Sequence, residues 1–499
     1  MQLQVFSGLN DKIESHKIKL LGVLFFILFL LFVYLAYQSI TLNYLPIYSD
    51  EYGYYLGAKA FQLCNRPDAA FTLNEYYSVI GNSSFYGFIY YVFYGAFFKL
   101  FSLFGITPSI MLVNIFLLVC FLLLMAFSRI SLEKKLLIGI VFLSNFIFIL
   151  YLSSSMTEIF HFIFGVIVGY LIYLLYKTRD NKYFYGLLAL ILLLSFFRPA
   201  WIFVLFGLFP LANSFRSLLK YVLVLLFGLL CVMLIEKYLY ASNPFSFMYI
   251  FMSYLSDHSL VDSISFLYEH FASNVDNYFI SVQYGQHRFV FYYKYLFVAL
   301  LLYSVYSSYK TKERSIMAGT MVAIVFFLSV LFIYDAFGWR EVRVLATPFI
   351  LLVTILILEG KYIPILLIIL FQLLNMNVVL EHKFEDDSSR YAMHSRIEKN
   401  QELLHHFLDF EKYIAPIKKN SILILMDRSL IPFNDSPILY QLPLVSNSKC
   451  IRYSTIYRDG LEIADSKCDL FISRKPYNMS DLKLVGKNKD FFFYRKITK

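Results

Sequence analysis

The sequence predicts an all-α polytopic membrane domain followed by a small C-terminal α/β soluble domain. Of the 499 residues, 59% are hydrophobic and 20% are aromatic, and the mean hydropathy is +0.63. Many apolar runs approach the ~20 residues that an α-helix needs to cross a bilayer. Soluble globular proteins do not combine these values, so we expect an integral membrane protein with several spans.

The positions of lysine and arginine determine the predicted topology. Lys12, Lys17 and Lys19 precede the first apolar run, which indicates a cytoplasmic N-terminus. The basic residues of the later loops share that side if the aromatic run 85–104, which contains Lys99, lies along the membrane or re-enters it. About eleven crossings result, with the C-terminus outside, at 20–41, 109–127, 136–152, 159–176, 184–197, 200–213, 221–235, 295–309, 315–334, 344–358 and 362–380.

Two of these segments, 184–197 and 200–213, are short for a straight crossing. They flank Arg198-Pro199, so a single kinked hairpin is the alternative there. The membrane domain is predicted to comprise residues 1–380, with a first outer loop at 43–104 and a long outer loop at 236–292.

From residue 381 onward the chain becomes more charged, and 381–499 are expected to form a domain on the outer face. The pattern predicts a helix at 394–413 and strands at 421–426, 469–473 and 491–494. In an oxidising compartment Cys450 and Cys468 could form a disulfide. The cysteines and histidines show no metal-ligand spacing, so no metal site is assigned.

The net charge of +10 has two interpretations that are compatible. One is membrane topology, because cytoplasmic loops collect Lys and Arg. The other is binding of anionic lipid or phosphate. Nucleic acid is not an expected partner, because no basic face occurs outside the short loops and the C-terminal region.

The first candidate site follows the first apolar run, in the sequence SDEYGYY. Asp50 and Glu51 are adjacent carboxylates at the lip of a membrane helix, where an acid must be solvated, paired or used. They can act as a general base or hold a divalent metal ion. The alternative is that they cap an amphipathic helix on the membrane surface. Tyr54 and Tyr55 follow the two acids and are candidate substrate contacts.

Three further stretches on the predicted outer face contribute candidates. Glu158 begins an apolar helix after a hydroxyl-rich loop, where Ser155 or Thr157 as a helix cap is the alternative. Arg198 is either paired or extended to the headgroups. Arg340 and Arg343 lie where a late span begins, and a guanidinium matches phosphate oxygens in a forked geometry. Pairing with Glu341 is the alternative for Arg340.

The order of these features resembles that in the GT-C superfamily of integral-membrane glycosyltransferases, in particular its protein O-mannosyltransferase and lipid A aminoarabinose transferase branch. The resemblance covers roughly 20–360. It rests on the Asp-Glu outer loop, the embedded segment SFYGFIYYVFYGAFFKLFSLFG, the acid in SSSMTEIFHF and the arginine in RVLATPFILL. Family members often carry His-Pro-Pro before the embedded segment, whereas this chain has Asn82-Ser83-Ser84, so no metal ligand is carried over there.

The resemblance implies transfer of a sugar from a polyprenyl-phosphate carrier to a lipid, glycan or protein acceptor. Asp50 would be the base, Glu51 would accompany it, Glu158 would support the site and Arg343 would hold the carrier phosphate. Such enzymes lie in membranes, here expected to be the bacterial inner membrane, with membrane lipids around them. The alternatives are an O-antigen polymerase or ligase, a lipid-linked oligosaccharide flippase or other transporter, and an assembly protein without activity.

Overall fold

The molecule is described here from a computed structural model. The described residues are 2–41, 49–65, 88–152, 154, 156–239, 247–279, 288–333, 339–384, 412–413, 416–417, 421–427, 450–456, 469–473, 475–478, 482–487 and 491–497. Helices α1 to α9 are Gln2–Thr41, Ser49–Cys64, Phe88–Leu103, Ile110–Phe127, Leu132–Ser144, Phe146–Tyr151, Glu158–Thr178, Asn181–Phe197 and Phe215–Leu239. Helices α10 to α15 are Phe247–Asp257, Leu260–Phe279, Arg288–Thr311, Arg314–Phe332, Trp339–Leu358 and Tyr362–Phe384. A 3-10 helix, Pro199–Leu211, separates α8 from α9.

The prediction of a polytopic helical membrane protein is confirmed in its general form. Within the described residues, six helices are long and apolar enough to cross a membrane, and these lie in α1, α4, α7, α9, α13 and α15. The described part of each of the eleven predicted segments is mostly helical, but the count of eleven crossings is not established. Two helices, α10 and α11, occupy part of the predicted long loop 236–292.

Helix α7 is at the centre of the bundle and runs parallel to α14. In the most apolar 18-residue stretch of each helix, 61% of the residues are buried in α7 and α13, against 17% in α9 and 22% in α1. Gly165 and Gly169 allow α7 and α14 to approach closely, because a Cβ atom on Gly169 would lie 2.8 Å from the Leu351 carbonyl oxygen. The close parallel packing places the first turns of the two helices side by side.

One end of the bundle carries most of the paired basic residues, and we call it the basic end. There Lys17 of α1 pairs with Glu133 of α5, and Lys177 of α7 lies 2.9 Å from Glu359, just after α14. Helices α5, α13 and α15 begin at this end, whereas α7 and α14 end there. The first residues of α7 and α14 therefore lie at the opposite end, which we call the site end.

The 3-10 helix explains how a short segment reaches across the bundle. Thirteen residues span about 26 Å in a 3-10 helix but only about 20 Å in an α-helix. Arg198 precedes it at the site end, and Asn213 follows it at the basic end, where it accepts a hydrogen bond from Arg314 (2.8 Å). Burial in this helix repeats every third residue. Phe203, Phe206 and Phe209 are half-buried, whereas residues 204, 205, 207 and 208 are buried.

The predicted crossing 136–152 is broken into α5 and α6 at Asn145. The Asn145 side chain accepts a hydrogen bond from the Ile147 N–H (2.9 Å) and caps α6. Its amide also donates to the Tyr293 hydroxyl of α12 (3.2 Å). An asparagine competes with the backbone for hydrogen bonds, which is why it favours a break over a continuous helix.

Helices α2 and α3 form a close parallel pair in the predicted first outer loop. Tyr54 contacts Tyr90, and further along Gln62 donates to Ser102 (2.6 Å). At the start of α3, Tyr90 contacts His161 in the first turn of α7. Near the end of α3, Phe101 contacts Phe116, near the second turn of α4. Both ends of α3 therefore stay close to the site end, and whether this segment crosses the membrane stays a prediction.

The C-terminal part contains a five-stranded mixed sheet in the order β2-β1-β3-β5-β4. The strands β1 to β5 are Ser421–Asp427, Cys450–Ile456, Leu470–Ser473, Leu482–Lys487 and Phe492–Lys496. The three predicted strands are confirmed as β1, β3 and β5. Two strands were not predicted, because β2 and β4 contain several polar residues. The α2 helix contacts β2, so the sheet packs on the predicted first outer loop.

Two predictions for this region lie outside the described residues. Of the predicted helix 394–413, the structure describes only residues 412 and 413. Cys468 and the side chain of Cys450 are also outside, so their pairing stays a prediction.

Candidate functional site

A carboxylate between two guanidinium groups is the centre of the candidate site. The parallel packing of α7 and α14 places Arg343 Nη1 3.5 Å from Glu158 Oε1. Arg198, at the junction of α8 and the 3-10 helix, places Nη2 3.6 Å from the same oxygen. Only 4% of the Glu158 side chain is exposed, against 18% of Arg198 and 20% of Arg343. Three predicted residues from distant parts of the sequence thus meet in one place.

The second oxygen of Glu158 has no hydrogen-bond partner among the described residues. Oε2 is buried, and so is the neighbouring Thr157 hydroxyl, which also lacks a partner in the described part of the chain. Thr157 occupies the helix-cap position, yet its side chain makes no capping hydrogen bond. The structure therefore does not support the capping alternative for Thr157. Buried acceptors are costly unless a donor reaches them, which makes this a place for a ligand hydroxyl.

His161 lies one turn into α7 and connects three elements. The Trp201 indole N–H donates to His161 Nδ1 (2.9 Å), and His161 Nε2 lies 2.5 Å from the Tyr90 hydroxyl. An indole nitrogen can only donate, so Nδ1 must be unprotonated and the proton must be on Nε2. The imidazole is thereby held as one neutral tautomer between the 3-10 helix and α3, beside the charged cluster.

A chain of aromatic and amide groups supports the same region from the side of α3 and α4. The Tyr94 hydroxyl donates to Asn114 Oδ1 (3.0 Å), and the Asn114 amide donates to the Met156 carbonyl (2.8 Å). Met156 lies two residues before Glu158. Because Asn114 is fully buried, its hydrogen bonds fix the segment that leads into α7.

Glu51 and Lys383 form a second buried charged region at the site end. Lys383, near the end of α15 and beyond its apolar span, donates to the carbonyls of Ile149 (2.6 Å) and Leu150 (3.2 Å). These carbonyls lie at the end of α6, where backbone acceptors lack helical partners. Burial lowers the pKa of Lys383 to about 7, and the charge of Glu51 opposes that shift. Glu51 is itself 1% exposed.

The other predicted site residues have different surroundings. Asp50 lies in the first turn of α2 and Arg340 in the first turn of α14, but both side chains are outside the described residues. The Tyr54 ring packs against Tyr90 (5.0 Å between centroids), and the Tyr55 ring packs against Phe98 (5.7 Å). Burial raises the pKa of Tyr55. Both tyrosines therefore pack against α3, and their substrate contacts stay a prediction.

The charge of the central cluster does not suit a metal ion. One carboxylate and two guanidinium groups sum to a charge of +1, which repels a divalent cation. Within the ranges that the structure describes, no three His, Cys, Asp or Glu side chains are grouped so that they could hold a metal ion.

Several polar residues of the site were not predicted from the sequence. His161, Trp201 and Asn114 stand alone within apolar segments, where packing is the ordinary interpretation. One signal was available for His161, since it follows Glu158 by three residues and so lies on the same helix face. Lys383 comes after the last predicted span and was assigned to the outer domain.

Comparison with known proteins adds no family: no family model matches the chain, and no match was found among curated proteins or solved structures.

Proposed function

We propose that the chain is an integral-membrane glycosyltransferase of the GT-C type. It would move a sugar from a polyprenyl-phosphate-linked donor to a lipid, glycan or protein acceptor. The observation that supports this best is the Glu158 carboxylate held between Arg198 and Arg343 where helix ends meet. Two guanidinium groups match the oxygens of a phosphate in a forked geometry.

Each residue of the cluster has a separate role in this proposed reaction. Arg198 and Arg343 bind the carrier phosphate, and Glu158 keeps the two like charges together. The net charge of +1 leaves the cluster attractive to an anion. Glu158 Oε2, buried and without a partner among the described residues, accepts a hydrogen bond from a hydroxyl of the sugar or the acceptor.

The chemical step needs a base and a stabilised leaving group. The acceptor hydroxyl gives its proton to the base as its oxygen bonds to the anomeric carbon of the sugar. The bond from that carbon to the phosphate oxygen breaks, and the electron pair stays on the phosphate, where the arginines stabilise the charge. Asp50 is the proposed base, and the buried Glu51 accompanies it beside Lys383.

The paired basic residues support an orientation for the site. With the basic end in the cytoplasm, the site end and the sheet that contacts α2 face outward. A sugar carried on a polyprenyl phosphate would reach the site from the outer leaflet. The bacterial inner membrane is the proposed location.

The decisive experiment supplies the protein in nanodiscs with a panel of polyprenyl-phosphate-linked hexoses and a mixture of lipid, glycan and protein acceptors, and it measures the polyprenyl phosphate released. Wild type is compared with Asp50→Asn and Arg343→Ala. Arg314→Ala is the matched control, because Arg314 lies at the basic end and bonds only Asn213 among the described residues. We expect both site variants to lose turnover and the control to keep it.

Two results would contradict the proposal. If wild type consumes no donor and binds no polyprenyl phosphate, the chain is not this transferase. If a fluorescent donor crosses liposomes that contain the protein without being consumed, the flippase alternative replaces it.

A further inference from the structure

A second binding site lies at the basic end, away from the Glu158 cluster. Helices α8 and α9 leave between them a cavity of about 510 Å³. Its walls are almost entirely apolar, and its lining residues are Leu188, Leu192, Arg216, Leu219, Lys220, Leu223, Val224, Phe227 and Gly228. Helix α9 is a peripheral helix, since only 17% of its most apolar stretch is buried. The groove therefore opens toward the surrounding lipid.

Two cations close one end of this groove. Arg216 and Lys220 are four residues apart, so they lie on the same face of α9, in its first turns. The Lys220 ammonium lies 5.5 Å from the centre of the Phe184 ring of α8. The groove is thus apolar along its length and has positive charges at one end.

Arg216 and Lys220 differ from the paired cations of the basic end. Six of those cations have protein partners, in the pairs Lys17–Glu133, Lys177–Glu359, Lys182–Asp180, Arg314–Asn213, Lys134–Leu358 carbonyl and Lys135–Ala126 carbonyl. For Arg216 and Lys220 the described part of the chain supplies no carboxylate. Two adjacent positive charges are thereby left for an anion from outside the protein.

The length of the groove corresponds to one leaflet. From Arg216 to Gly228 the helix rises about 18 Å over twelve residues. Half of a typical hydrocarbon core is about 15 Å. An acyl chain that starts at the cations would therefore end near the middle of the bilayer.

We propose that this groove binds an anionic phospholipid, with its phosphate on Arg216 and Lys220 and one acyl chain along Leu223 and Phe227. Basic pockets between membrane helices hold anionic headgroups in this way. The charge complementarity favours an anionic lipid over a neutral one. The carrier of the proposed reaction is a separate ligand, because its phosphate binds Arg343 at the opposite end. The lipid site thus does not depend on the proposed function.

The test is native mass spectrometry of the detergent-solubilised protein titrated with phosphatidylglycerol or with phosphatidylcholine of the same chains. We expect phosphatidylglycerol to bind at least ten times more tightly. The double variant R216Q/K220Q should bind it roughly 30-fold more weakly, about fivefold per lost cation. K310Q/K312Q is the matched control, because it removes two exposed cations of another loop at the same end that do not line the groove.

A third variant separates the groove from the surface charge. Val224→Trp keeps both cations but fills the apolar body, and it should weaken phosphatidylglycerol while glycerol phosphate shows no binding to any variant. Equal binding of the two lipids, or unchanged binding by R216Q/K220Q, would refute the site. Displacement of phosphatidylglycerol from the groove by a lower concentration of polyprenyl phosphate would assign the groove to the carrier instead. Matching unfolding midpoints of the variants exclude misfolding.

Discussion

The interaction between Glu158 and its two arginines can be measured by a double-mutant cycle. Glu158→Gln removes the carboxylate charge with little change of shape. At an effective dielectric constant of about 20, unit charges at 3.5 and 3.6 Å attract by about 4.7 and 4.6 kcal/mol before desolvation. Desolvation offsets much of this, and removing one partner of a buried pair typically costs ~3–5 kcal/mol. We expect E158Q to lower the free energy of unfolding by that amount.

The cycle pairs this change with Arg343→Met. In the R343M background only Arg198 is left to lose its partner, so E158Q should cost ~1–3 kcal/mol less than in the wild type. Unfolding is followed by far-UV circular dichroism as sodium dodecyl sulfate is added to the protein in mixed micelles. Additive effects, within ~0.5 kcal/mol, would show that Glu158 and Arg343 do not interact and would refute the geometry.

A control cycle uses an exposed pair at the other end of the molecule. Lys177 and Glu313 lie 3.4 Å apart, and 39% and 42% of their side chains are exposed. Solvent screens such pairs, and their coupling rarely exceeds ~1 kcal/mol. The K177M/E313Q cycle should therefore give a clearly smaller coupling than the Glu158 cycle, although the two distances are similar.

Three further predictions concern the surroundings of the cluster. Gly169→Ala should destabilise the fold by ~1–3 kcal/mol in the same assay and reduce turnover, because the new Cβ forces α7 away from α14; Gly186→Ala, with open space around it, should do neither. Trp201→Phe leaves His161 Nδ1 without its donor and should cost ~1–3 kcal/mol, and a neutral result would contradict the assigned tautomer. Burial lowers the pKa of Lys383 from 10.5 to about 7 in the folded protein, so between these values the unfolded chain binds more protons and stability rises with pH. From pH 7 to 9 the free energy of unfolding of the wild type, relative to that of Lys383→Met, should rise by up to ~2.7 kcal/mol. An equal difference at both pH values would refute this.

The sequence was sufficient for the parts of the fold that depend on local composition. Apolar runs located the helices, and the distribution of Lys and Arg is the basis for the prediction that α3 does not cross the membrane. The breaks were harder to predict. Asn145 divides a predicted crossing because its side chain caps a new helix, and one asparagine in an apolar run gives little warning of that.

The site was predictable only where charge stands out from an apolar background. Glu158, Arg198 and Arg343 were predicted as candidates because charged residues at the ends of apolar helices are uncommon. That they partner one another depends on the parallel packing of α7 and α14, which no single segment reveals. His161 and Asn114 were missed for the opposite reason: a buried polar residue that is satisfied by distant groups looks like any packing residue in its own segment.

The length of the 3-10 helix fixes the position of Arg198. Each of its residues advances the chain by about 2 Å, and each turn uses three residues. Deleting one residue would therefore draw Arg198 about 2 Å toward the basic end and rotate it by about 120°, which is enough to end a contact of 3.6 Å with Glu158. The deletion would also place a row of buried residues where the half-buried phenylalanines now lie. The length of this segment, as much as its composition, thus sets where the guanidinium stands.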